Sequence, residues 1–258
     1  MCRLLGLVAN KLVDFKFSLE LFKEKFSDEN PDGWGVAWYE NNSPRLEKQG
    51  ISATDERSRF QSFSEYVESR IIMAHVRKST GAPAVEVNSH PFKCNDWIFA
   101  HNGSVNRENL LPLLKEDYSR NIKGETDSEV YFHWILQNIQ EHDIISGVKE
   151  ALEKVMESNF TGLNFLLSDG KSFYAFRYSE INTDYYSLFK LKRKPSEISP
   201  LTLKSQETRM LIETKSLNKE KAVIVCSEKL TEENWEKIKM GHMLIIKPNL
   251  KMKEVKIL

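Results

Sequence analysis

The order of strand-like and helix-like segments limits the folds that this chain can adopt. Short apolar segments typical of strands dominate residues 3–101, and a second group of them follows residue 162. Most of the amphipathic, helix-like sequence lies between these two groups. A parallel doubly wound sheet requires strict alternation of strand and helix, which this order lacks. The pattern predicts antiparallel sheets with segregated helices, an α+β fold.

The individual elements follow from periodicity and from turn residues. Leu19, Phe22 and Phe26 have helical spacing, and the sequence Asn30-Pro31-Asp32-Gly33 indicates a turn. We expect helices at 18–26, 57–68, 106–116, 127–141 and 145–157. We expect strands at 3–9, 34–39, 45–51, 70–77, 97–101, 162–168, 171–178, 184–191, 222–227, 242–247 and 253–257, with a long polar loop over 195–220.

Composition and cysteine usage narrow the class of protein. Lys plus Arg and Asp plus Glu both number 37, so the formal net charge is zero and neither nucleic acid nor an anionic membrane is favoured as a partner. Three cysteines without a C-x-x-C pair argue against a disulfide framework. The apolar run at the start is broken by Asn10 and Lys11, too early for a signal peptide, and no segment is long enough to span a membrane. We predict a cytoplasmic protein.

Cys2 is the most informative candidate for chemistry. The initiator methionine is usually removed when a small residue follows, which would leave Cys2 with a free α-amino group. That amine has a pKa of about 7.7–8.0 and the thiol one of about 8.5, so the two are matched for proton transfer. One residue then supplies both nucleophile and base. Taken alone, Cys2 is more simply interpreted as a chance cysteine that is buried as a small apolar side chain.

Three further sites, the Asn102-Gly103 pair, Arg77 and Asp127, could bind a charged group of a ligand. Each site also has a purely structural explanation. The Asn102 side chain and the Gly103 backbone N–H could stabilise an oxyanion, or could form an ordinary strand-ending turn. Arg77 ends a predicted strand and could bind a carboxylate, or could be an exposed charge. Asp127 follows Thr126 at a predicted helix start, where it could face an ammonium group or only the helix dipole.

The sequence predicts neither a metal site nor a cofactor. His75, His90 and His101 lack the short spacings of a zinc site, and no phosphate-binding or dinucleotide-binding glycine motif occurs. A Cys–His protease arrangement using Cys2 is disfavoured, because an amino-terminal nucleophile has its own base.

Several blocks together resemble the class II glutamine amidotransferase domain, a branch of the N-terminal-nucleophile hydrolases. They are MCRLLG at 1–6, NPDGWGVAWY at 30–39, AHVRKSTGAPAVEVNSHPF at 74–92, AHNGSVNR at 100–107 and GETDSEV at 124–130. TGLNFLLSDG at 161–170 and VIVCSE at 223–228, with Trp235, are similar to the stand-alone members. The resemblance implies a four-layer αββα sandwich of two antiparallel sheets, and we expect one such domain over residues 2–258.

The resemblance also implies an activity and a role for each candidate residue. Cys2 would attack the γ-amide of glutamine or of a γ-glutamyl compound and form a thioester. Asn102 and Gly103 would hold the oxyanion. Arg77 would bind the α-carboxylate of the substrate with an added hydrogen bond from Thr80, and Asp127 would bind its α-ammonium group.

Some alternatives stay open from the sequence. The biosynthetic members carry a second domain that consumes the ammonia, and no length for one remains here beside the expected fold. The chain could instead be a glutaminase subunit that feeds a separate synthase, a homo-oligomer, or a catalytically silent binding module. Lys78 departs from the family pattern, in which an aromatic residue often follows the arginine.

Overall fold

The computed structural model describes residues 2–14, 16–55, 57–60, 62, 67–193 and 221–258. The α-helices whose bounds the structure describes are α1 Lys16–Phe26, α2 Arg107–Leu110, α3 Glu116–Ser119, α4 Asp127–Glu141 and α5 Ile144–Met156. Short 3₁₀ helices lie at Glu86–Asn88 and Leu111–Leu113. The strands are β1 Arg3–Asp14, β2 Trp34–Glu40, β3 Ser43–Gln49, β4 Glu68–Val76, β5 Phe92–Cys94, β6 Trp97–Asn102, β7 Asn164–Ser168, β8 Phe173–Arg177, β9 Phe189–Arg193, β10 Ala222–Cys226, β11 Glu236–Lys237, β12 His242–Ile246 and β13 Met252–Lys256.

The strands form two antiparallel sheets. One has seven strands in the order β11-β9-β10-β1-β4-β2-β3, and the other has six in the order β13-β12-β8-β7-β6-β5. In the first sheet β1 lies between β4 and β10, so its residues are paired along both edges. The amino-terminal strand is therefore central in its sheet.

The two sheets pack face to face, and helices cover their outer faces, which gives four layers. In β1, Leu4 and Val8 face the space between the sheets, whereas Leu5 and Leu7 face the layer that contains α1. The opposite face of the six-stranded sheet is covered by α4 and α5, with Phe132 of α4 stacked on Phe99 of β6. The predicted α+β fold, a four-layer αββα sandwich, is confirmed.

The elements agree with the sequence expectations except where short or broken segments are involved. The helix expected over 106–116 is divided into α2, a 3₁₀ turn and α3, because Pro112 cannot continue the hydrogen-bond ladder. The strand expected from residue 184 begins only at Phe189, and the short strands β5 and β11 were missed. In the helix expected at 57–68, Phe60 and Ser62 are helical and Glu68 already belongs to β4, whereas residues 61 and 63–66 lie outside the described residues. The whole loop expected at 195–220 also lies outside them.

Gly6 allows the two sheets to approach closely. A Cβ atom built on Gly6 of β1 would lie 2.2 Å from Cζ of Phe173 in β8, a ring that is fully buried between the sheets. Even one added methyl group would therefore force the ring or the sheets to move. Among the described residues, no helix combines the length and apolar character needed to cross a bilayer.

We predict that Gly6→Ala lowers the free energy of unfolding by about 1–3 kcal/mol, the usual cost of overpacking a core. Urea denaturation followed by circular dichroism measures the change. Gly81→Ala is the matched control, since a Cβ atom at Gly81 meets nothing within 4 Å. Gly6→Ala combined with Phe173→Leu should recover part of the loss, and an unchanged midpoint in Gly6→Ala would contradict the close packing.

Candidate active site

The predicted site residues meet in one cavity at the edge of the inter-sheet space. Cys2, Arg77, Thr80, Asn102, Gly103 and Asp127 all line this cavity, which has a volume of about 280 Å³. Cys2 and Arg77 are neighbours because the β1–β4 register pairs Arg3 with Val76.

The strand faces explain why these side chains converge. Leu4, Met73 and Ala100 are fully buried in the core between the sheets. Side chains two residues apart on a strand share a face, so Cys2 and Asn102 continue the inner face beyond Leu4 and Ala100. The cavity therefore lies where the apolar core gives way to polar strand ends.

Cys2 is partly buried and contacts the backbone of the loop after β4. Its Sγ donates to the carbonyl oxygen of Lys78 at 3.6 Å. Burial raises the pKa of the Cys2 thiol, although the Lys78 contact and the positive charge of Arg77 act in the opposite direction. The thiol is therefore neutral at physiological pH and needs a base to become a nucleophile.

Arg3 fixes the backbone of Cys2, a contribution that the sequence interpretation missed. Its Nη1 donates to the Cys2 carbonyl oxygen at 3.2 Å and to the Tyr185 hydroxyl at 2.7 Å. Its Nε donates to Glu228 at 2.7 Å. The sequence did contain a signal for this contribution, namely an arginine beside the candidate nucleophile in a strand predicted to be buried. A buried guanidinium requires hydrogen-bond partners.

Asn102 presents an amide group without a protein partner. The residue is fully buried at the end of β6, and neither its Nδ2 nor its Oδ1 has a hydrogen-bond partner among the described residues. Gly103 follows with φ 151°. A Cβ atom there would lie 1.8 Å from the Gly162 carbonyl oxygen, so only glycine fits. The strand end is thus held close to Gly162 with an unused donor facing the cavity.

Asp127 joins the loop after β6 to the start of α4. Its Oδ2 accepts from the Val105 backbone N–H at 2.8 Å, and its Oδ1 accepts from that of Ser128 at 2.8 Å. Thr126 caps the helix by accepting from the Glu129 N–H, as the capping-box pattern predicts. The Glu129 carboxylate instead accepts from the N–H groups of Lys123 and Gly124. The Asp127 carboxylate is therefore fixed in place.

Arg77 is buried and its guanidinium is enclosed by backbone carbonyls. Nη1 donates to Pro83 O at 3.0 Å and Nη2 donates to Ala82 O at 2.8 Å. Burial lowers the pKa of Arg77, while the negative charge of Asp127 acts in the opposite direction. Thr80 is exposed on the same loop, at the rim of the cavity.

Three histidines lie beside the cavity, and one of them links its walls. His101 contacts the Ser128 hydroxyl through Nδ1 at 2.9 Å and the Gly162 carbonyl through Nε2 at 3.0 Å. His75 and His90 lie with ring centroids 4.2 Å apart, and their ring nitrogens have no partner among the described residues. Burial lowers the pKa of His75 to about 3 and that of His90 well below its ordinary value. Both rings are therefore neutral at physiological pH.

We predict that the buried histidines make the fold sensitive to acid. In the unfolded chain His75 binds a proton near pH 6.5, whereas in the folded protein it does so only near pH 3. Acidification through pH 6.5 therefore favours unfolding, and the stability present above that pH is lost progressively towards pH 3. Between pH 7 and pH 5, His75→Gln should remove about 2 kcal/mol of the pH-dependent loss. Denaturant titrations at several pH values measure this slope, and a slope equal to that of the wild type would contradict the prediction.

Comparison with known proteins gives a consistent set of similarities. Residues 1–254 match the family model described as class-II glutamine amidotransferases. An uncharacterized protein of Methanocaldococcus jannaschii is 31% identical over 258 residues, covering 96% of this chain and 69% of the relative. The gamma-glutamyl-hercynylcysteine sulfoxide hydrolase of Mycobacterium tuberculosis is 34% identical over 91 residues, which is 35% of this chain and 38% of that enzyme.

A solved structure shares the architecture over almost the full length. It is a glutamine aminotransferase class-II domain protein from Silicibacter pomeroyi, which superimposes with a TM-score of 0.67 at 22% identity and covers 99% of both chains. At this level of identity the likeness concerns the fold. It agrees with the four layers described above.

Proposed function

Because this chain belongs to the class II glutamine amidotransferase family, we propose that it hydrolyses the γ-amide of glutamine or of a γ-glutamyl compound through a thioester on Cys2. The observation that carries the proposal is the unpartnered, buried Asn102 amide in the same cavity as the Cys2 thiol. A buried polar group without a partner costs free energy, which a ligand oxygen would offset. An amide donor beside a nucleophile is the arrangement that acyl transfer requires.

The reaction begins on the chain after Met1 has been removed. Burial raises the pKa of the Cys2 thiol and keeps it neutral, so the free α-amino group accepts the thiol proton as the sulfur attacks the amide carbon. Asn102 and Gly103 donate to the resulting oxyanion. The C–N bond breaks as the α-ammonium group returns its proton to the leaving nitrogen. Water then cleaves the thioester, so amide and water become glutamate and an amine.

Charged groups on the cavity wall hold the glutamyl group in this proposal. Arg77, assisted by Thr80, binds the α-carboxylate, and the fixed carboxylate of Asp127 binds the α-ammonium group. A zwitterion needs one cation and one anion at matched positions, and both residues line the cavity. The partial similarity to a gamma-glutamyl-hercynylcysteine sulfoxide hydrolase supports a γ-glutamyl substrate.

We assign the activity to one domain over residues 2–258, with no cofactor in the reaction scheme. The cytoplasm is the proposed compartment, because Cys2 must stay reduced to act. A small γ-glutamyl molecule is the proposed partner.

We predict that Asn102→Ala lowers kcat about 100- to 1000-fold, the usual effect of removing one oxyanion donor. Release of glutamate from glutamine and from γ-glutamyl amides measures the effect. Asn121→Ala is the control, since the Asn121 side chain is exposed and bonds only to the Asp117 carbonyl among the described residues. Turnover within a few-fold of wild type in Asn102→Ala would refute the oxyanion role.

We expect Cys2→Ala to abolish hydrolysis and Cys94→Ala to retain it, because Cys94 lies on β5 and does not line the cavity. Intact mass spectrometry of the wild type should show loss of Met1. A chloroketone analogue of glutamine should then add one equivalent to Cys2. A mature chain that keeps Met1, or labelling that survives Cys2→Ala, would contradict the mechanism.

A further inference from the structure

The cavity holds more positive charge than a glutamyl group needs. Its lining includes the cations Arg77, Lys78 and Arg107 and the carboxylates Glu125 and Asp127. In the proposed function Arg77 and Asp127 match the two charges of the glutamyl group. Two cations and one carboxylate then remain, so the rest of the lining favours an additional negative charge on the ligand.

Arg107 is the remaining cation that is most constrained by the fold. It begins α2, whose cap is Asn106, with Oδ1 accepting from the Asn109 N–H at 3.1 Å. Two residues earlier, Val105 is tied to Asp127 by a hydrogen bond of 2.8 Å. The loop that follows Asn102 and Gly103 leads directly to Arg107, and this bond anchors it to the first residue of α4.

The guanidinium of Arg107 has no hydrogen-bond or ion-pair partner among the described residues. Its Nε is buried and unsatisfied there. Other enclosed arginines are paired: Arg193 with Glu233, and Arg177 with the carbonyls of Tyr186 and Ile238. A buried donor without an acceptor is costly, and an arginine fork matches a carboxylate in geometry. By contrast, Lys78 is exposed, and water can solvate its charge.

The lining of the cavity includes groups that the glutamyl moiety does not use. Its volume is about 280 Å³, just below the range of roughly 300–1,000 Å³ found for ligand pockets. Lys78, Arg107 and Glu125 have no role toward the glutamyl group and are available to a leaving group larger than ammonia. The excess charge indicates that this leaving group is acidic.

We propose, on the basis of the function proposed above, that Arg107 binds a carboxylate on the leaving group, so that the substrate is a γ-glutamyl peptide or a related acidic γ-glutamyl amide. In the reaction the γ-amide C–N bond breaks, the amine of the acidic leaving group takes up the proton, and water completes the hydrolysis to glutamate. Arg107 acts on specificity, whereas Cys2 and Asn102 act on the reacting bond.

The test compares two substrates that differ by one carboxylate, γ-glutamylglycine and γ-glutamylethylamide. The wild type should have the higher kcat/KM for γ-glutamylglycine. Arg107→Gln should reduce this preference about 10- to 100-fold, mainly through KM, since hydrogen bonds to charged groups contribute about 1.5–3 kcal/mol. Arg120→Gln is the matched control, because Arg120 pairs with Glu116 on the surface and does not line the cavity. An equal loss for both substrates, or an unchanged preference, would overturn the inference.

Binding measurements separate this inference from the proposed hydrolysis. Calorimetry on the Cys2→Ala variant, with and without Arg107→Gln, compares the affinities of the same two compounds in the absence of turnover. Tighter binding of γ-glutamylglycine that depends on Arg107 supports the acidic leaving group even if the wild type hydrolyses neither compound, an outcome that refutes the hydrolysis alone. Equal affinities for the two compounds refute the role of Arg107.

Discussion

The packing of two antiparallel sheets face to face determines where the site forms. β1 and β4 belong to one sheet and β6 to the other, and their inner faces share one apolar core. β1 begins, and β4 and β6 end, at the same edge of that core. Cys2, Arg77 and Asn102 lie at these strand ends and line the cavity. Burial of the apolar side chains stabilises the fold. The last inner-face positions of the strands carry polar side chains instead, and these line the cavity.

Polar groups in this fold follow two different patterns. Arg3 and Arg177 have their hydrogen-bonding groups met by the protein, which fixes the backbone and loops. Asn102 and Arg107 retain buried nitrogen atoms that no described residue satisfies. Natural proteins tolerate such unmet groups mainly where a ligand completes them. Asn102 and Arg107 both line the cavity, so a ligand bound there can complete their hydrogen bonds.

Sequence reasoning recovered those features that depend on local pattern. The apolar runs of β1 and β6, the helical spacing in α1 and the Thr126 cap of α4 are all encoded within a few neighbouring residues. The order of the motif blocks predicted the fold and six of the residues that line the cavity. It did not predict the carbonyl enclosure of Arg77, the His101 link to Gly162 or the unpaired state of Arg107. Those features depend on distances between segments far apart in the chain, which periodicity does not contain.

The central position of β1 has a consequence for the order in which the molecule is assembled. One edge of β1 pairs with β4, from the first third of the chain, and the other pairs with β10, where the Ser227 hydroxyl and backbone contact Leu4. During synthesis the first partner emerges early and the second only after residue 222. The second edge of β1 can therefore be paired only when about the last seventh of the chain, from residue 222, has been made.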